Sequence, residues 1–221
     1  MAHRVVIVGG GAAGIQTALE LKSRGIEPII VERDIELGGK ARGWHKLFPL
    51  FTPAKDIIDP LIARLREERI RCFYGQEVTE IASDGVVLRS GERIPGDAVV
   101  VATGFTLFDA HRKQEYGYGL YDNVITSVDL ERMMNSGRVV LTDGSEPRRI
   151  AFLHCVGSRD EKVDQKHCSK VCCITGVKQA IEIKQMFPDA DVFNFYMDIR
   201  MYGPGYEELY RSAQQDYNIH F

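Results

Sequence analysis

The 221-residue chain carries 28 Lys and Arg against 31 Asp and Glu, a formal charge of -3, and is 44% hydrophobic. That fits a globular protein with one or two cores, and the lack of any long run of one charge sign excludes a nucleic-acid arm or a polybasic membrane patch. No stretch reaches the roughly 18 apolar residues of a membrane span, and the apolar start at Val5–Val8 breaks at Gly9–Gly11 too early for a signal peptide; a cytoplasmic protein is expected, with any membrane link indirect.

In chain order, Arg4 to Val8 reads as a buried parallel strand, because the run is continuously apolar rather than alternating. A tight turn at Gly9–Gly11 follows. Ala12 to Arg24 is predicted as a helix that buries Ile15, Ala18 and Leu19 and stops at Gly25 as its C-terminal cap. Pro28 to Val31 is the second strand and closes a βαβ unit. Ile57 to Arg69 is predicted helical, and Arg71 to Tyr74 returns to strand. Glu77 to Ile81, Gly85 to Leu88 and Arg93–Ile94 read as a small antiparallel β-meander with turns at Ser83–Gly85 and Ser90–Gly91. Asp97 to Val101 is another buried strand, ending in Ala102–Thr103–Gly104.

From Phe105 to Arg149 the sequence is loop-rich, apart from a helix at Ser127 to Asn135 with Ser127 expected as its cap. After Pro147 a second βαβ pattern begins: strand Ile150 to His154, helix from about Cys168 to Met186, strand Val192 to Tyr196. A helix around Tyr206 to Gln215 leads into Tyr217–Phe221, which reads as a strand beginning where the sequence stops. The expected fold class is therefore α/β, with two tandem Rossmann-like units of FAD/NAD(P)-binding type and a small β-meander, truncated at the C-terminus. Residues 1–110 form the dinucleotide-binding domain, 111–149 a connector, and 150–221 an incomplete second βαβ unit.

Gly9-x-Gly11-x-x-Gly14 follows a strand and opens a helix, and Glu32 ends the next strand. In that context the motif is a dinucleotide fingerprint. Gly9 permits the turn, Gly11 lets the backbone approach a pyrophosphate, and Gly14 lets helix and strand pack closely. The pyrophosphate would rest on the free N–H groups of the first helical turn at Ala12 and Ala13, at the positive end of the helix dipole. The Glu32 carboxylate would accept from ribose hydroxyls and repel a 2′-phosphate.

Val31–Glu32–Arg33, Leu37–Gly38–Gly39–Lys40 and Val99 to Gly104, with the meander between, resemble two-dinucleotide flavoproteins of the thioredoxin reductase type. That resemblance implies FAD, with Arg33 beside the ribose-binding acid, Gly39 and Lys40 along the cofactor, Val78 offering backbone to the adenine, and Ala102, Thr103 and Gly104 closing over it. In such proteins the second βαβ unit opens with its own glycine motif. Here that place reads Phe152–Leu153–His154–Cys155–Val156–Gly157, without it, so a pyridine nucleotide is not expected there.

What stands there instead is Cys155 at a strand end and Cys168-x-x-x-Cys172–Cys173 at the expected start of the next helix. Cys168 and Cys172, four apart, would share one helix face. Four thiolates could hold a [4Fe–4S] cluster; the competing readings are a redox dithiol, which would normally show C-x-x-C, structural zinc, which would normally show paired C-x₂₋₄-C knuckles, and inert buried cysteines. The six histidines, His154 among them, show no ligand spacing and read as structural.

The segments Cys155 to Asp160, Cys168 to Cys173, Lys178–Gln179–Ala180 and Phe195 to Arg200 resemble the A-type subunit of heterodisulfide reductase and the flavin subunits of the quinone-interacting membrane-bound oxidoreductase. The resemblance implies an oxidoreductase subunit that works with other subunits of an electron-transfer complex, with FAD passing electrons to a [4Fe–4S] cluster on Cys155, Cys168, Cys172 and Cys173. Gly43 to Pro49 lacks cysteines that many heterodisulfide reductase sequences of this type carry nearby, which tilts the reading toward the quinone-interacting branch. Arg159, Lys166 and Lys170 would place positive charge near an anionic cluster. The rival readings are a pyridine nucleotide-disulfide reductase with a cysteine dithiol, and a zinc-stapled interaction module without turnover.

Overall fold

The computed structural model describes residues 3–221. Its elements in chain order are β1 (Arg4–Val8), α1 (Ala12–Ser23), β2 (Glu27–Val31), β3 (Lys46–Leu47), β4 (Thr52–Pro53), α2 (Ala54–Glu67), β5 (Arg71–Phe73), β6 (Val78–Ala82), β7 (Gly85–Leu88), β8 (Arg93–Pro95), β9 (Ala98–Val101), α3 (Ser127–Asn135), β10 (Arg149–Leu153), α4 (Cys172–Met186), β11 (Asp191–Phe195) and α5 (Tyr206–Gln215), with short 3₁₀ turns between. They form two compact units: the chain up to Trp44 with Pro53–Thr106, and His45–Thr52 with Leu107–Phe221.

In the first unit a parallel sheet runs in the order β5-β2-β1-β9. Successive strand side chains point to opposite faces. Val5, Ile7 and Ile30 therefore meet Ile15, Ala18 and Leu19 of α1 and Ile58, Ile62 and Leu65 of α2. Val6, Ile29 and Val31 pack instead on Val86, Leu88 and Ile94 of the antiparallel β6-β7-β8 meander. Both faces are covered, which is why β1 and β2 read as continuous apolar runs. Helix α2 spans Ala54–Glu67 rather than Ile57 to Arg69; Arg69 adopts a left-handed φ of 51°, which no helix can continue through.

In the second unit β10 and β11 pair in parallel, from Arg149 opposite Asp191 to Leu153 opposite Phe195. Of the expected terminal strand only an isolated parallel bridge at His220 forms: His220 N–H donates to Val192 O at 2.9 Å, and Asn194 N–H to His220 O at 2.8 Å. Helix α4 buries Ile174, Val177, Ala180, Ile181 and Ile183 in a core shared with Leu130 and Met134 of α3 and Leu209 and Ala213 of α5. The cap of α3 is Thr126, not Ser127. Its Oγ1 accepts from Asp129 N–H at 3.2 Å while Asp129 Oδ2 accepts from Thr126 N–H at 3.0 Å, a reciprocal capping box worth about 1 kcal/mol.

Two further expectations change. Helix α4 starts at Cys172, not near Cys168, because Lys170 is left-handed at φ 66° and breaks the helical path. Residues 107–149 are part of the second unit rather than a separate connector. His45–Thr52 also joins that unit, through a buried ion network. Lys178, 2% exposed, lies 2.5 Å from Glu131 and 2.9 Å from Glu182. His45 Nδ1 lies 2.8 Å from Glu182, and its N–H donates to Glu131 at 2.7 Å. Each buried charge faces an opposite one, as burial requires.

The tightest backbone approach joins α1 to β1. A Cβ on Gly14 would lie 1.9 Å from the Gly9 carbonyl oxygen, so helix and turn could coexist only after the backbone moved. Gly14→Ala is expected to destabilise the chain by about 2–3 kcal/mol, read as a lowered denaturation midpoint; an unchanged midpoint would show that the contact is not rigid.

Candidate functional site

Two places in the chain gather groups of distinct chemistry, one in each unit. In the first unit, β1, β2 and β9 end side by side, with Val8 opposite both Val31 and Val101. The chain leaves β1 through Gly9, at φ 110°, where a Cβ would lie 2.4 Å from Ala102 O; Ala102–Thr103 thus lies against the turn. Glu32 is 6% exposed. It accepts from Gly10 N–H at 2.5 Å and Asp34 N–H at 2.9 Å, so it holds the turn in shape besides presenting its remaining lone pairs. Gly10 is a contributor that the fingerprint reading passed over: a Cβ there would collide with Leu37 and crowd Glu32. Gly38 N–H donates to Gly10 O at 2.8 Å, and a Cβ on Gly39 would lie 3.1 Å from the Gly11 Cα.

Gly11 itself differs from the other motif glycines. Its φ is -75°, and nothing lies within 4 Å of a Cβ built on it. The open side of the turn therefore fronts the N-terminus of the 12-residue α1, whose first turn holds exposed Ala12 and Ala13 and no acidic residue. Free N–H groups, a helix dipole and open space at a glycine fit a pyrophosphate. Thr103 and Gly104 are exposed at the end of β9, and the Lys40 ammonium sits 5.1 Å over the Phe105 ring. Arg33 lies apart, lining an open cleft of about 450 Å³ with Asp34, Gly75, Gln76, Glu77 and Arg89. Val78, next to Glu77, packs on the meander core.

In the second unit, the carboxyl ends of β10 and β11 flank the start of α4. Cys172 and Cys173 open that helix, and their sulfurs lie within 4.8 Å of each other and of a ring nitrogen of His154. His154 ends the strand run beside Cys155, hydrogen-bonds Asn194 Oδ1 at 2.8 Å, and rests where a Cβ on Gly176 of α4 would be. Sequence reasoning missed this histidine; its place directly before Cys155 was the available signal.

Lys170 N–H donates to Cys168 at 3.3 Å, and the Arg159 side chain, the Cys155 backbone and the Arg200 backbone favour the thiolate forms of Cys155, Cys172 and Cys173 respectively. Cys172 is drawn down to about 3, first by the hydrogen bond from Cys173 and then by that from His154. Cys173 is pushed well above the usual thiol range, first because it donates that bond and then by burial; the pair holds one proton. Burial, followed by the charge of Cys172, raises Cys155.

The loop from Cys155 to Lys170 is held in an uncommon backbone. Of seven non-glycine residues with positive φ among the described residues, four are Cys155, Arg159, Asp164 and Lys170, and such positions concentrate at functional sites. Ser158 Oγ donates to His167 O and accepts from Ser169 N–H, both at 3.0 Å. Residues 107–118 brace the loop from outside. Lys113 Nζ, almost fully buried, lies 2.6 Å from both Asp160 and Glu115; its pKa is raised, by Asp160 first and Glu115 second. Gly157 leaves room for the Phe108 ring, which a Cβ would meet at 2.2 Å. None of these bracing residues carries a sequence motif.

Comparison with known proteins bears on the family rather than on single residues. The family model described as pyridine nucleotide-disulphide oxidoreductase matches residues 3–130. The chain is 30% identical, over 99% of its length and 47% of the relative's, to the A-type subunit of the H(2):CoB-CoM heterodisulfide,ferredoxin reductase of Methanothermobacter thermautotrophicus. It is 38% identical, over 99% and 47%, to an iron-sulfur A-type subunit of the CoB–CoM heterodisulfide reductase of Methanopyrus kandleri. The chain thus spans about half the length of these curated relatives. The 308 aligned positions exceed its 221 residues, so the relatives carry residues within the matched stretch that have no counterpart here. A solved ferredoxin reductase for the CYP199A2 system from Rhodopseudomonas palustris is 32% identical over 46% of this chain and 24% of its own, with a TM-score of 0.36, a likeness too partial to argue from.

Two measurements check this geometry. Because the space beside Gly11 is open, Gly11→Val is expected to leave the denaturation midpoint of the flavin-free chain within about 0.5 kcal/mol of the parent while abolishing FAD retention; a variant that keeps its flavin would reduce the motif to a turn. In the metal-free, reduced chain, iodoacetamide is expected to modify Cys172 at mildly acidic pH, whereas Cys155 and Cys173, raised rather than lowered, react only as pH rises. Mass spectrometry of the peptides reads this, and parallel pH profiles for all three would contradict the shared-proton pair.

Proposed function

Since the chain belongs to the pyridine nucleotide-disulphide oxidoreductase family, we propose that it acts as the flavin and iron–sulfur electron-transfer part of a heterodisulfide reductase-like complex. In this reading the first unit holds FAD and the second holds a [4Fe–4S] cluster on Cys155, Cys168, Cys172 and Cys173. When bound, the flavin takes up electrons in pairs and releases them singly, and the cluster carries one at a time. The protein's share is binding and tuning. Gly11 and the α1 N-terminus receive the pyrophosphate, Glu32 accepts from the ribose, and Gly39, Lys40, Ala102, Thr103 and Gly104 line the same turn. Arg33 and Val78 belong to the adenine end, beside the open cleft.

The observation that carries the cluster reading is the start of α4, where the Cys172 and Cys173 sulfurs lie within 4.8 Å of each other and Lys170 N–H donates to Cys168 at 3.3 Å. A buried thiol needs no such donor, whereas thiolates around an anionic cluster are stabilised and their potential set by donors of this kind. A partner in the same complex follows from the names of the relatives, and those names favour the heterodisulfide branch over the quinone-interacting one. No described helix is long and apolar enough to cross a membrane. The proximity of His154, Cys172 and Cys173 also fits zinc.

Metal analysis separates the readings. Chain purified without oxygen is expected to carry about four irons with matching sulfide together with FAD, and Cys155→Ser to lose the iron while retaining the flavin. Zinc in place of iron would instead support the stapled module, and neither metal the dithiol enzyme.

A further inference from the structure

The segment after β11 runs Tyr196–Met197–Asp198–Ile199–Arg200 and closes over Cys173, whose sulfur lies 4.0 Å from Asp198 O. The Asp198 carboxylate touches no sulfur. Its two oxygens are spent on two guanidiniums: Oδ1 accepts from Arg159, and Oδ2 accepts from Arg200 Nε at 3.1 Å. Both arginines are thereby held where they act on the cysteines, the Arg159 side chain favouring the Cys155 thiolate and the Arg200 backbone the Cys173 thiolate. Of the three cations that sequence placed near the site, Arg159 alone brings its charge to a sulfur. Lys170 contributes only its backbone N–H, and Lys166 is exposed.

We propose that Asp198 is a positioning residue of the cysteine site: it anchors the Arg159 guanidinium beside Cys155 and folds the turn that sets the Arg200 backbone beside Cys173, so it supports the reduced state of the cluster despite its negative charge. The proposal rests on the cluster reading above. Two effects of opposite sign compete when the carboxylate is removed. Loss of a nearby anion alone would make the cluster easier to reduce. That effect is weak here, because Asp198 is 48% exposed, faces two guanidiniums and acts through solvent. Loss of the fixed Arg159 cation and Arg200 backbone, which favour the thiolate forms of Cys155 and Cys173, acts on two of the four sulfurs and makes the cluster harder to reduce. The second effect wins, so the expected shift is opposite to the one a bare charge predicts.

The test is an anaerobic redox titration of the full chain, followed by electron paramagnetic resonance of the reduced cluster. Asp198→Ala is expected to lower the midpoint potential, Asp198→Glu to bring it back toward the parent, and Arg159→Gln to lower it as well. The double variant Asp198→Ala/Arg159→Gln should fall short of the sum of the two single shifts, since Asp198 acts through Arg159. If Asp198→Ala fails to take up iron, Asp198→Ser, which removes the carboxylate and leaves a hydroxyl too short to hold both guanidiniums, is titrated in its place with the same expected direction. A potential raised or unchanged in the titrated Asp198 variant, or fully additive shifts, overturns the positioning role. Parent chain without iron would instead overturn the cluster reading itself, a result the iron content reports before any variant is made.

Discussion

Parallel strand pairing, β1 with β2 and β9 in the first unit and β10 with β11 in the second, is the constraint from which both sites follow. Hydrogen bonds in a parallel ladder satisfy the backbone only as far as the last paired residue. Beyond it the chains must turn away, and the groups left there are free to face a ligand. In the first unit those groups are the glycine turn, Glu32 and Ala102–Gly104. In the second they are His154 and Cys155 after β10 and Asp198–Arg200 after β11, with the start of α4 completing the set. One topology thus supplies a backbone cradle in one unit and a sulfur cluster of side chains in the other.

The two sites are stabilised by different means. In the first unit, close contact does the work: Gly9 and Gly14 stand where a Cβ would strike backbone atoms, and Glu32 ties the turn by accepting two N–H groups. In the second, the loop from Cys155 to Lys170 holds four non-glycine residues in left-handed conformations, each costing of order 1 kcal/mol. Local hydrogen bonds through Ser158 and the buried Lys113–Asp160 pair oppose that cost. The loop-rich stretch before α3 therefore has a structural task that its composition does not announce. The Lys178 network performs a comparable one for His45–Thr52, a segment carried into the second unit from between elements of the first.

Long apolar runs and glycine punctuation made most elements legible. β1, α1, β2, β7, α3 and α5 lie where periodicity places them, give or take one or two residues. The misses share a cause. The start of α4 depends on the left-handed Lys170, the cap of α3 on a reciprocal bond between Thr126 and Asp129 rather than on the neighbouring serine, and the end of α2 on Arg69. In each case a single backbone conformation decided the boundary, and propensity summed over a window does not resolve single residues.

The amino-acid sequence by itself determined the α/β order, the dinucleotide turn with its acid at Glu32, and the crowding of four cysteines between positions 155 and 173, because each is encoded in residues close along the chain or in strand and helix periods. Only the tertiary structure decided which other groups face those cysteines. His154, Arg159 and Arg200 reach the sulfurs from a strand end, a strained loop and a second strand end, and Asp198 holds two of them from the far side. Nothing in local sequence couples residues 40 positions apart. Their meeting follows from the parallel register of β10 and β11, which brings the two strand ends to one edge.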